Sequence, residues 1–416
     1  MIVGPIGSLG QITLSRQVPL IMGVNVQSAV FSKDDDALSR HAAPKTVKMR
    51  RGTMMRAAVC RAFGQPFLLE EVTLAPPGPD EVTVRLRATS ICHSDIIFAD
   101  GGWGGDLPAI YGHEGAGVIE AVGENMTDVK SGDRVVITMV RSCGTCPCCS
   151  RGLRGCCEHA FEPGGRTKIA DSAGRPIVQG LKTAAFAECA TVHRSQIVPV
   201  DNDLPFDVAA LLACGVITGF GAVANSAGVR PDADVVVIGA GGVGLNCIQA
   251  AVICGANKVI AIDPSPSRLA AARTFGAAHG LDGKTEDPAS AVFDLTSERG
   301  ADYVFVAAGV GAAIDLAFGL LAPGGMAVLV GIPENGVHTT IDPGTLANGS
   351  RRIVGSKLGD ADIRKDIPAL IDLYREGRLK LDELITDRFA FEDINQAIAA
   401  ARSGKGLKTV IRFEDG

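Results

Sequence analysis

The sequence has no excess of positive charge and no long uninterrupted hydrophobic run. Its 40 lysines and arginines are outnumbered by 46 aspartates and glutamates, which gives a formal net charge of -6 at pH 7. A nucleic-acid or anionic-membrane surface needs a positive field, so we expect neither partner. The most apolar run, residues 209–224, is interrupted by Cys214, Gly215, Thr218, Gly219 and Gly221 and is shorter than the roughly 18–20 residues that span a bilayer. A small molecule is the expected partner, and no membrane span is expected.

A recognisable secretory signal is also missing, which bears on the 12 cysteines. Disulfide frameworks are typical of short secreted chains, whereas this chain has 416 residues. Because the cysteines are clustered, they indicate metal binding instead. We therefore expect a cytoplasmic protein of two domains, with ample length to bury a core.

Residues 1–53 lack the hydrophobic periodicity of the rest. They combine an acidic run at Asp34–Asp36 with a basic patch at residues 45–51. Organellar transit peptides avoid acidic residues, which disfavours a targeting role. We therefore predict that the segment is a disordered extension whose removal leaves activity and thermal stability almost unchanged. Met54 or Met55 is the better candidate for the first residue of the protein.

Two kinds of hydrophobic pattern follow the extension. Residues 81–87 alternate apolar and polar side chains, and residues 115–121 and 133–138 read as further strands, so a β-rich domain is predicted. After about residue 216 the pattern changes to short, continuous apolar runs separated by helical segments, at 235–238, 259–262, 303–306 and 327–330. This alternation predicts a parallel sheet that is buried on both faces.

A glycine-rich loop directly follows the first of these runs. Residues 239–244 carry the G-x-G-x-x-G spacing through Gly239, Gly241 and Gly244, with Gly242 between them, and precede a helix predicted at 245–254. The spacing alone is a weak signal, but a strand before it and a helix after it are what a dinucleotide-binding loop requires. The helix N-terminus would then face the phosphates.

Asp263 ends the next strand, where an acidic side chain would accept hydrogen bonds from the adenosine ribose. A carboxylate there would repel a 2'-phosphate, so the sequence favours NAD over NADP. The alternative is that Asp263 only caps the turn before Pro264.

Two sets of cysteine and histidine residues predict zinc. Cys143, Cys146, Cys149 and Cys157 lie in one short Gly- and Pro-containing lobe, which is typical of a closed structural zinc site. Cys148 and Cys156 are competing ligands in the same lobe. A nucleic-acid-binding zinc ribbon is disfavoured by the acidic chain.

The second set is dispersed along the chain. Cys92, His113 and Cys214 would supply two thiolates and one imidazole and leave the fourth zinc position open, as in catalytic sites. Taken singly, each could be an ordinary core residue.

With these motifs in order, the chain from Met55 to Phe413 resembles the zinc-containing medium-chain alcohol dehydrogenases. The motifs that carry the resemblance are C-H-S-D at 92–95, G-H-E at 112–114, C-G-x-x-T-G at 214–219 and the glycine-rich loop. The resemblance implies an α/β fold, in which a Rossmann doubly wound parallel sheet is inserted in a GroES-like β-rich catalytic domain. The implied bounds are 54–215 and 358–416 for the catalytic domain, with the zinc lobe at about 143–157, and 216–357 for the NAD-binding domain.

The resemblance also implies roles for individual residues and two zinc ions per chain. Catalytic zinc would be held by Cys92, His113 and Cys214, and structural zinc by Cys143, Cys146, Cys149 and Cys157. Asp95 would orient His113, Glu114 would assist ligand exchange, and Ser94 would accept the alcohol proton. The implied cofactor contacts are His93, Thr218, Gly239, Gly241, Gly242, Val243, Gly244, Asp263, Arg268 and Lys408. In several members a histidine five residues after the first zinc cysteine relays the proton to solvent, but here that position is Ile97.

The implied activity is NAD-linked, reversible oxidation of a primary alcohol to an aldehyde. Trp103 and Met139 indicate an apolar slot, which suits an alkyl, allylic or aromatic alcohol. A thiol-adduct formaldehyde dehydrogenase is disfavoured because its charged recognition residues match Gly101, Trp103 and Phe161. An aldehyde reductase and a non-catalytic NAD-binding redox sensor stay open, and a homodimer or homotetramer is expected from the family.

Overall fold

The computed structural model describes residues 52–159 and 168–414. The predicted N-terminal extension lies outside the described residues up to residue 51, and Phe161 also lies outside them. The first described strand begins at Thr53, so Met54 and Met55 are already part of the folded body.

The described strands and helices alternate along the chain as follows. The strands are β1 (Thr53–Val59), β2 (Leu68–Leu74), β3 (Glu81–Ser90), β4 (Ala109–Ile110), β5 (Glu114–Val122), β6 (Arg134–Ile137), β7 (Ile169–Ala170), β8 (Pro176–Gln179), β9 (Cys189–His193), β10 (Ile197–Pro199), β11 (Asp234–Ile238), β12 (Lys258–Ile262), β13 (His279–Leu281), β14 (Ala301–Val306), β15 (Leu321–Leu329), β16 (Arg352–Gly355), β17 (Ile385–Ala390) and β18 (Lys408–Arg412). The helices are α1 (His93–Asp100), α2 (Pro147–Ser150), α3 (Phe206–Leu211), α4 (Ile217–Gly221), α5 (Gly242–Ile253), α6 (Pro266–Thr274), α7 (Pro288–Leu295), α8 (Gly311–Gly319), α9 (Pro343–Asn348), α10 (Ile363–Arg375) and α11 (Ile394–Ser403).

Strand β3 is at the centre of the β-rich part. It pairs antiparallel with β5, β9 and β18, so the C-terminal strand returns to the sheet begun by the N-terminal half. The alternation at 81–87 predicts a half-buried strand, but β3 continues to Ser90, and residues 88–90 are all buried. Segments from distant parts of the sequence pack against the second face of β3. The local hydrophobic pattern carries no information about these segments.

The predicted parallel sheet is present as six strands among the described residues, in the order β13-β12-β11-β14-β15-β16. Each neighbouring pair is parallel. This is the doubly wound order of a Rossmann sheet, in which the chain reverses its direction of winding between β11 and β14. Ligands bind at the carboxyl ends of the strands at such a switch point, and the glycine-rich loop lies there, directly after β11.

The most apolar part of the chain forms a longer helix than its interrupted sequence suggests. Helical residues run from Phe206 to Ala227, and among the described residues this is the one helix long and apolar enough to cross a membrane by length and composition. The expectation that the run is too short is therefore wrong. However, 89% of its most apolar window is buried inside the protein, which accounts for its apolarity.

This buried helix shares a core with both the β-rich part and the parallel sheet. Two wider π-helical turns interrupt it, at Leu212–Val216 and Ala222–Ala227. Its residues belong to one core cluster with Val136 of β6 and Val235 of β11. The first π-turn contains Cys214, and such turns often mark functional positions because they re-aim one side chain.

Candidate active site

Three elements bring the dispersed ligand set together. Cys92 precedes the first turn of α1, His113 precedes β5, and Cys214 lies in the first π-turn of the buried helix. One ligand atom from each of Cys92, His113, Glu114 and Cys214 lies within 4.8 Å of all the others. Residues up to 122 positions apart in sequence thus form one cluster.

Asp95 and His113 fix the geometry of this cluster. Both side chains are fully buried, and His113 Nδ1 lies 2.9 Å from Asp95 Oδ1. The Asp95 carboxylate also accepts hydrogen bonds from the backbone N–H groups of Gly112 and Cys92, each at 3.0 Å. One carboxylate therefore holds the two segments that carry the first two ligands, and it sets the His113 tautomer so that Nε2 faces the cluster.

The unsatisfied atoms of this cluster fit a cation. Among the described residues, His113 Nε2 and Glu114 Oε1 are buried without a hydrogen-bond partner. An orphaned ring nitrogen is costly in a buried site unless a ligand satisfies it. Burial opposes a charge on His113, but the Asp95 and Cys92 charges outweigh it and raise the pKa of His113 well above its usual value. The cluster thus attracts positive charge at Nε2, where the predicted zinc would replace the proton.

Lys408 lies beside the cluster of Cys92, His113, Glu114 and Cys214. Its ammonium donates to Glu114 Oε2 at 2.6 Å and to the Ile91 carbonyl at 3.1 Å. Burial opposes the charge on Lys408, but the Glu114 and Cys92 charges together outweigh it and raise the pKa of the ammonium. The Lys408 stem passes so close to Gly242 that a Cβ there would lie 2.9 Å from it. Lys408 therefore lies between the ligand cluster and the glycine-rich loop. Its expected contact with the cofactor pyrophosphate stays a prediction.

The four-thiol lobe has the dimensions of a tetrahedral metal site. The sulfur atoms of Cys143 and Cys149 are 4.0 Å apart, and those of Cys146 and Cys157 are 3.9 Å apart. A tetrahedron with Zn–S bonds of 2.3 Å has sulfur atoms about 3.8 Å apart. Of the six thiols in the lobe, the structure groups these four.

Backbone N–H groups stabilise thiolates in this lobe. Thr145 N and Cys146 N point at Cys143 Sγ from 3.4 and 3.3 Å. These hydrogen bonds lower the pKa of Cys143 to about 5. Because zinc binds the thiolate form, these N–H groups prepare Cys143 for metal, whereas burial raises the pKa of Cys149 to about 12.

The glycine-rich loop has the shape that dinucleotide binding requires. Gly239 has φ = 93°, which favours glycine, and a Cβ at Gly244 would lie 1.8 Å from the Gly239 carbonyl oxygen. A Cβ at Gly241 would instead meet no atom within 4 Å. The backbone is therefore open to a ligand at Gly241 and closed by strand and helix packing at Gly244.

Asp263 occupies the end of β12 beside this loop. Its two carboxylate oxygens accept from Ala240 N at 2.8 Å and from Ser265 N at 2.9 Å, and the side chain is 2% exposed. Arg268 Nη1 lies 3.8 Å from Asp263 Oδ2. Asp263 thus shapes the loop whether or not it also binds ribose, so capping and binding are compatible.

A cavity of about 630 Å³ lies beside the ligand cluster. Cys92 and Cys214 of the cluster line it, and so do Thr218 of α4 and Val243 of α5. The predicted slot residues Trp103 and Met139 line it, as do His93, Ser94 and Ile97, together with Phe98, Leu181, Lys182, Ile332 and Lys357, which sequence reasoning missed. No local sequence motif marks the missed residues, because they come from separate parts of the chain and only folding brings them to the cavity.

Trp103 joins the cavity wall to the parallel-sheet region. Its indole Nε1 donates to the Pro333 carbonyl at 2.9 Å, and its ring meets Phe98 edge-on at 5.1 Å between centroids. One polar contact therefore fixes the indole of Trp103 within the predicted apolar wall.

Comparison with known proteins agrees with this geometry. Residues 78–202 match the alcohol dehydrogenase GroES-like domain, and residues 242–376 match the zinc-binding dehydrogenase domain. An NDMA-dependent alcohol dehydrogenase of Amycolatopsis methanolica is 35% identical over 86% of this chain and 98% of its own length. The chain belongs to the zinc-dependent medium-chain alcohol dehydrogenases. The predicted family and fold class are thereby confirmed.

Two further members of the family bear on its chemistry. A geraniol dehydrogenase of Castellaniella defragrans is 34% identical over 86% of this chain and 97% of its own length. The crystal structure of a benzyl alcohol dehydrogenase from Acinetobacter calcoaceticus superimposes with a TM-score of 0.81 at 34% identity, covering 87% of this chain and all of that chain. Alcohol oxidoreduction is therefore the chemistry of this medium-chain dehydrogenase.

Proposed function

We propose that this protein oxidises an apolar primary alcohol to its aldehyde, reversibly, with NAD as the hydride acceptor and with two zinc ions per chain. The observation that carries the proposal is the junction of three features in one cavity. Cys92 and Cys214 of the cluster that also contains His113, Thr218 together with Val243, and Trp103 all line this cavity. The first feature suits a metal, the second a nicotinamide and the third a hydrocarbon substituent.

The protein's own residues prepare and orient the reactants. Asp95 holds His113 with Nε2 facing the cluster, and Cys92 is held near the thiolate form because Cys214, His113 and Lys408 lower its pKa well below the usual value. Zinc bound by these ligands would polarise the alcohol oxygen and favour loss of its proton. Ser94, on the cavity wall two residues from Cys92, is the proposed first acceptor of that proton.

The cofactor proposal follows from the switch point of the sheet. The open backbone at Gly241 and the N-terminus of α5 suit the pyrophosphate of a dinucleotide. The fixed, buried carboxylate of Asp263 disfavours a 2'-phosphate, which supports NAD over NADP. NAD would supply the hydride acceptor, and Thr218 and Val243 would hold its nicotinamide against the cavity.

The substrate proposal rests on the cavity wall. Apolar side chains of Ile97, Phe98, Trp103 and Met139 surround the space beyond the cluster. The relatives named for geraniol and benzyl alcohol are consistent with an allylic or aromatic substrate. A polyol or a charged thiol adduct would leave its polar groups unpaired against these side chains.

One set of assays tests the proposal. NADH formation is measured with hexanol, geraniol, benzyl alcohol, glycerol and a glutathione–formaldehyde adduct, and zinc is counted per chain. We expect turnover of the three apolar alcohols and two zinc ions. Preference for the charged adduct would favour the formaldehyde dehydrogenase alternative, and NAD binding without any turnover of alcohol or aldehyde would favour the redox-sensor alternative.

Two variants separate the metal sites. Cys92→Ser should abolish turnover and leave one zinc, because it removes a ligand of the cavity cluster only. Cys146→Ser should chiefly lower stability, because its sulfur belongs to the lobe. A single zinc in the unmodified protein would contradict the two-site proposal.

A further inference from the structure

Two backbone segments that contribute to the cavity wall are joined by one buried side chain. Gln196 is 1% exposed, and its carboxamide nitrogen donates to the Thr138 carbonyl at 2.9 Å and to the Lys182 carbonyl at 3.0 Å. Thr138 precedes Met139, and Lys182 follows Leu181. Met139, Leu181 and Lys182 all line the cavity.

Both donor hydrogens of the Gln196 amide are thus committed to the cavity wall. Its carbonyl oxygen accepts from His193 N at 3.2 Å and closes the short turn at residues 194–196. The side chain thus makes three hydrogen bonds, two through its donor hydrogens and one through its carbonyl oxygen. A buried polar group satisfied in this way specifies one arrangement of the segments that it joins.

The segment held at Lys182 needs such support. Leu181, Lys182 and Ala184 have φ values of 51°, 59° and 57°, in the left-handed region that side chains disfavour. Strained backbone of this kind persists only when its surroundings determine it, and it is concentrated at functional sites. Thr183 and Gln179 add hydrogen bonds within the same segment.

We propose that Gln196 is a positioning residue that sets the width of the substrate cavity, by holding the Met139 segment and the Leu181–Lys182 segment at a fixed separation. The role is one of substrate selection, and it rests on the proposed oxidation of apolar alcohols in this cavity. In an apolar pocket, one methylene group changes discrimination by a factor of about 10 to 200, so a small change in wall separation is measurable.

Two substitutions separate this role from that of the local turn. Gln196→Leu removes all three hydrogen bonds. Gln196→Glu keeps an acceptor for His193 N but loses both donors to the wall at neutral pH. If the hydrogen bonds to the Thr138 and Lys182 carbonyls position the cavity wall, both variants should change the ratio of kcat/KM between hexanol and benzyl alcohol about tenfold or more. KM for the alcohol should change more than kcat, and KM for NAD should not change.

Gln249 provides a matched control. It is 3% exposed, and its carboxamide also makes three hydrogen bonds, to Asn246 Oδ1, Lys380 O and Lys380 N, away from the residues that line the cavity. Gln249→Leu should lower thermal stability like Gln196→Leu and leave the ratio between the two alcohols unchanged. If Gln196→Leu does not fold, Gln196→Asn, which is one methylene shorter, should still shift the ratio.

A binding measurement keeps this proposal distinct from the proposed function. Trp103 is the only tryptophan of the chain and lines the cavity, so its fluorescence reports benzyl alcohol binding without turnover. If the unmodified protein oxidises no alcohol, the proposed function fails and the fluorescence titration still tests Gln196. An unchanged ratio, or unchanged benzyl alcohol affinity where no turnover occurs, in Gln196→Leu or Gln196→Asn would overturn the inference. So would a Gln196→Glu variant that behaves as the unmodified protein does.

Discussion

The Asp95 carboxylate and the His113 ring form a buried hydrogen bond of 2.9 Å, with both side chains removed from solvent. The same carboxylate accepts the Cys92 and Gly112 backbone N–H groups. Two segments that converge from different elements thus depend on one side chain. Outer partners of this kind typically change metal affinity by 10- to 100-fold when they are replaced.

The first prediction follows from this relationship. Asp95→Asn should weaken zinc binding at the cavity cluster by about 10- to 100-fold, because the amide cannot accept from all three N–H groups. Competition with a chelator of known affinity measures the effect. Asp100→Asn is the control, since Asp100 lies at the end of the same helix, is exposed and pairs with Arg402. Equal zinc affinity in both variants would show that Asp95 is dispensable.

The second prediction concerns cofactor choice. Asp263→Ser should narrow the preference for NAD over NADP by roughly tenfold or more, because it removes a buried negative charge from the site proposed for the ribose. It should also raise KM for NAD, since the carboxylate accepts from Ala240 N in the glycine-rich loop. The measurement is kcat/KM for each cofactor.

Two further variants separate charge from loop shape. Asp263→Asn removes the charge and keeps one of the two oxygen acceptors, which can still accept from Ala240 N, so it should narrow the preference with a smaller rise in KM than Asp263→Ser. Asp234→Asn, at the opposite end of β11, should change neither quantity. A higher kcat/KM with NADP than with NAD in the unmodified protein would refute the assignment outright.

The sequence predicted those parts of the molecule that are encoded by local patterns. The apolar run at 235–238 became β11, the helix predicted at 245–254 became α5, and the alternating residues 81–87 lie within β3. Hydrophobic period and glycine spacing are properties of neighbouring residues, so they can be recognised without the fold.

Contacts between distant residues could not be predicted in this way. Lys408 meets Glu114 across 294 positions, and Gln196 meets Thr138 across 58. Neither residue type signals its partner, because the contact exists only once β18 has paired with β3 and the cavity wall has formed. The family motifs indicated Lys408 as functional, but nothing in the sequence indicated Gln196.

The third prediction concerns stability and pH at a site away from the cavity. Asp207, at the start of α3, is buried and bonds Arg388 at 2.8 Å and also Arg412. Burial raises the pKa of this carboxyl, but the two guanidinium groups outweigh burial and lower it below the usual value. The charged form is therefore favoured by folding. Its contribution to stability is fully present above the unfolded pKa of about 3.9 and is lost as the pH falls through the lower folded value.

Asp207→Asn should accordingly reduce the free energy of unfolding at pH 7 by about 1–3 kcal/mol, a range that allows for the solvent exposure of both arginines. The difference from the unmodified protein should shrink below about pH 4. Urea denaturation at both pH values measures it. Asp201→Asn is the control, because Asp201 pairs with Arg375 on an exposed surface, and it should have little effect. A destabilisation by Asp207→Asn that is independent of pH would indicate a packing role instead.

The last prediction concerns the route by which the proton leaves the site. Ile97 is 7% exposed and lines the cavity at the position where several family members carry a relaying histidine. An alkyl side chain neither donates nor accepts, so we expect proton release to limit alcohol oxidation at neutral pH. Small imidazole or amine buffers should then accelerate turnover at constant pH. Ile97→His should raise the neutral-pH rate, by a factor of about 100 or less for a relay one step from the reacting oxygen, and should remove the buffer effect.

Ile97→Leu is the control and should retain the buffer effect. If turnover is indifferent to buffer base and to both substitutions, either another relay exists or cofactor release limits kcat. A solvent isotope effect on a single turnover separates these cases, because cofactor release lies outside that turnover.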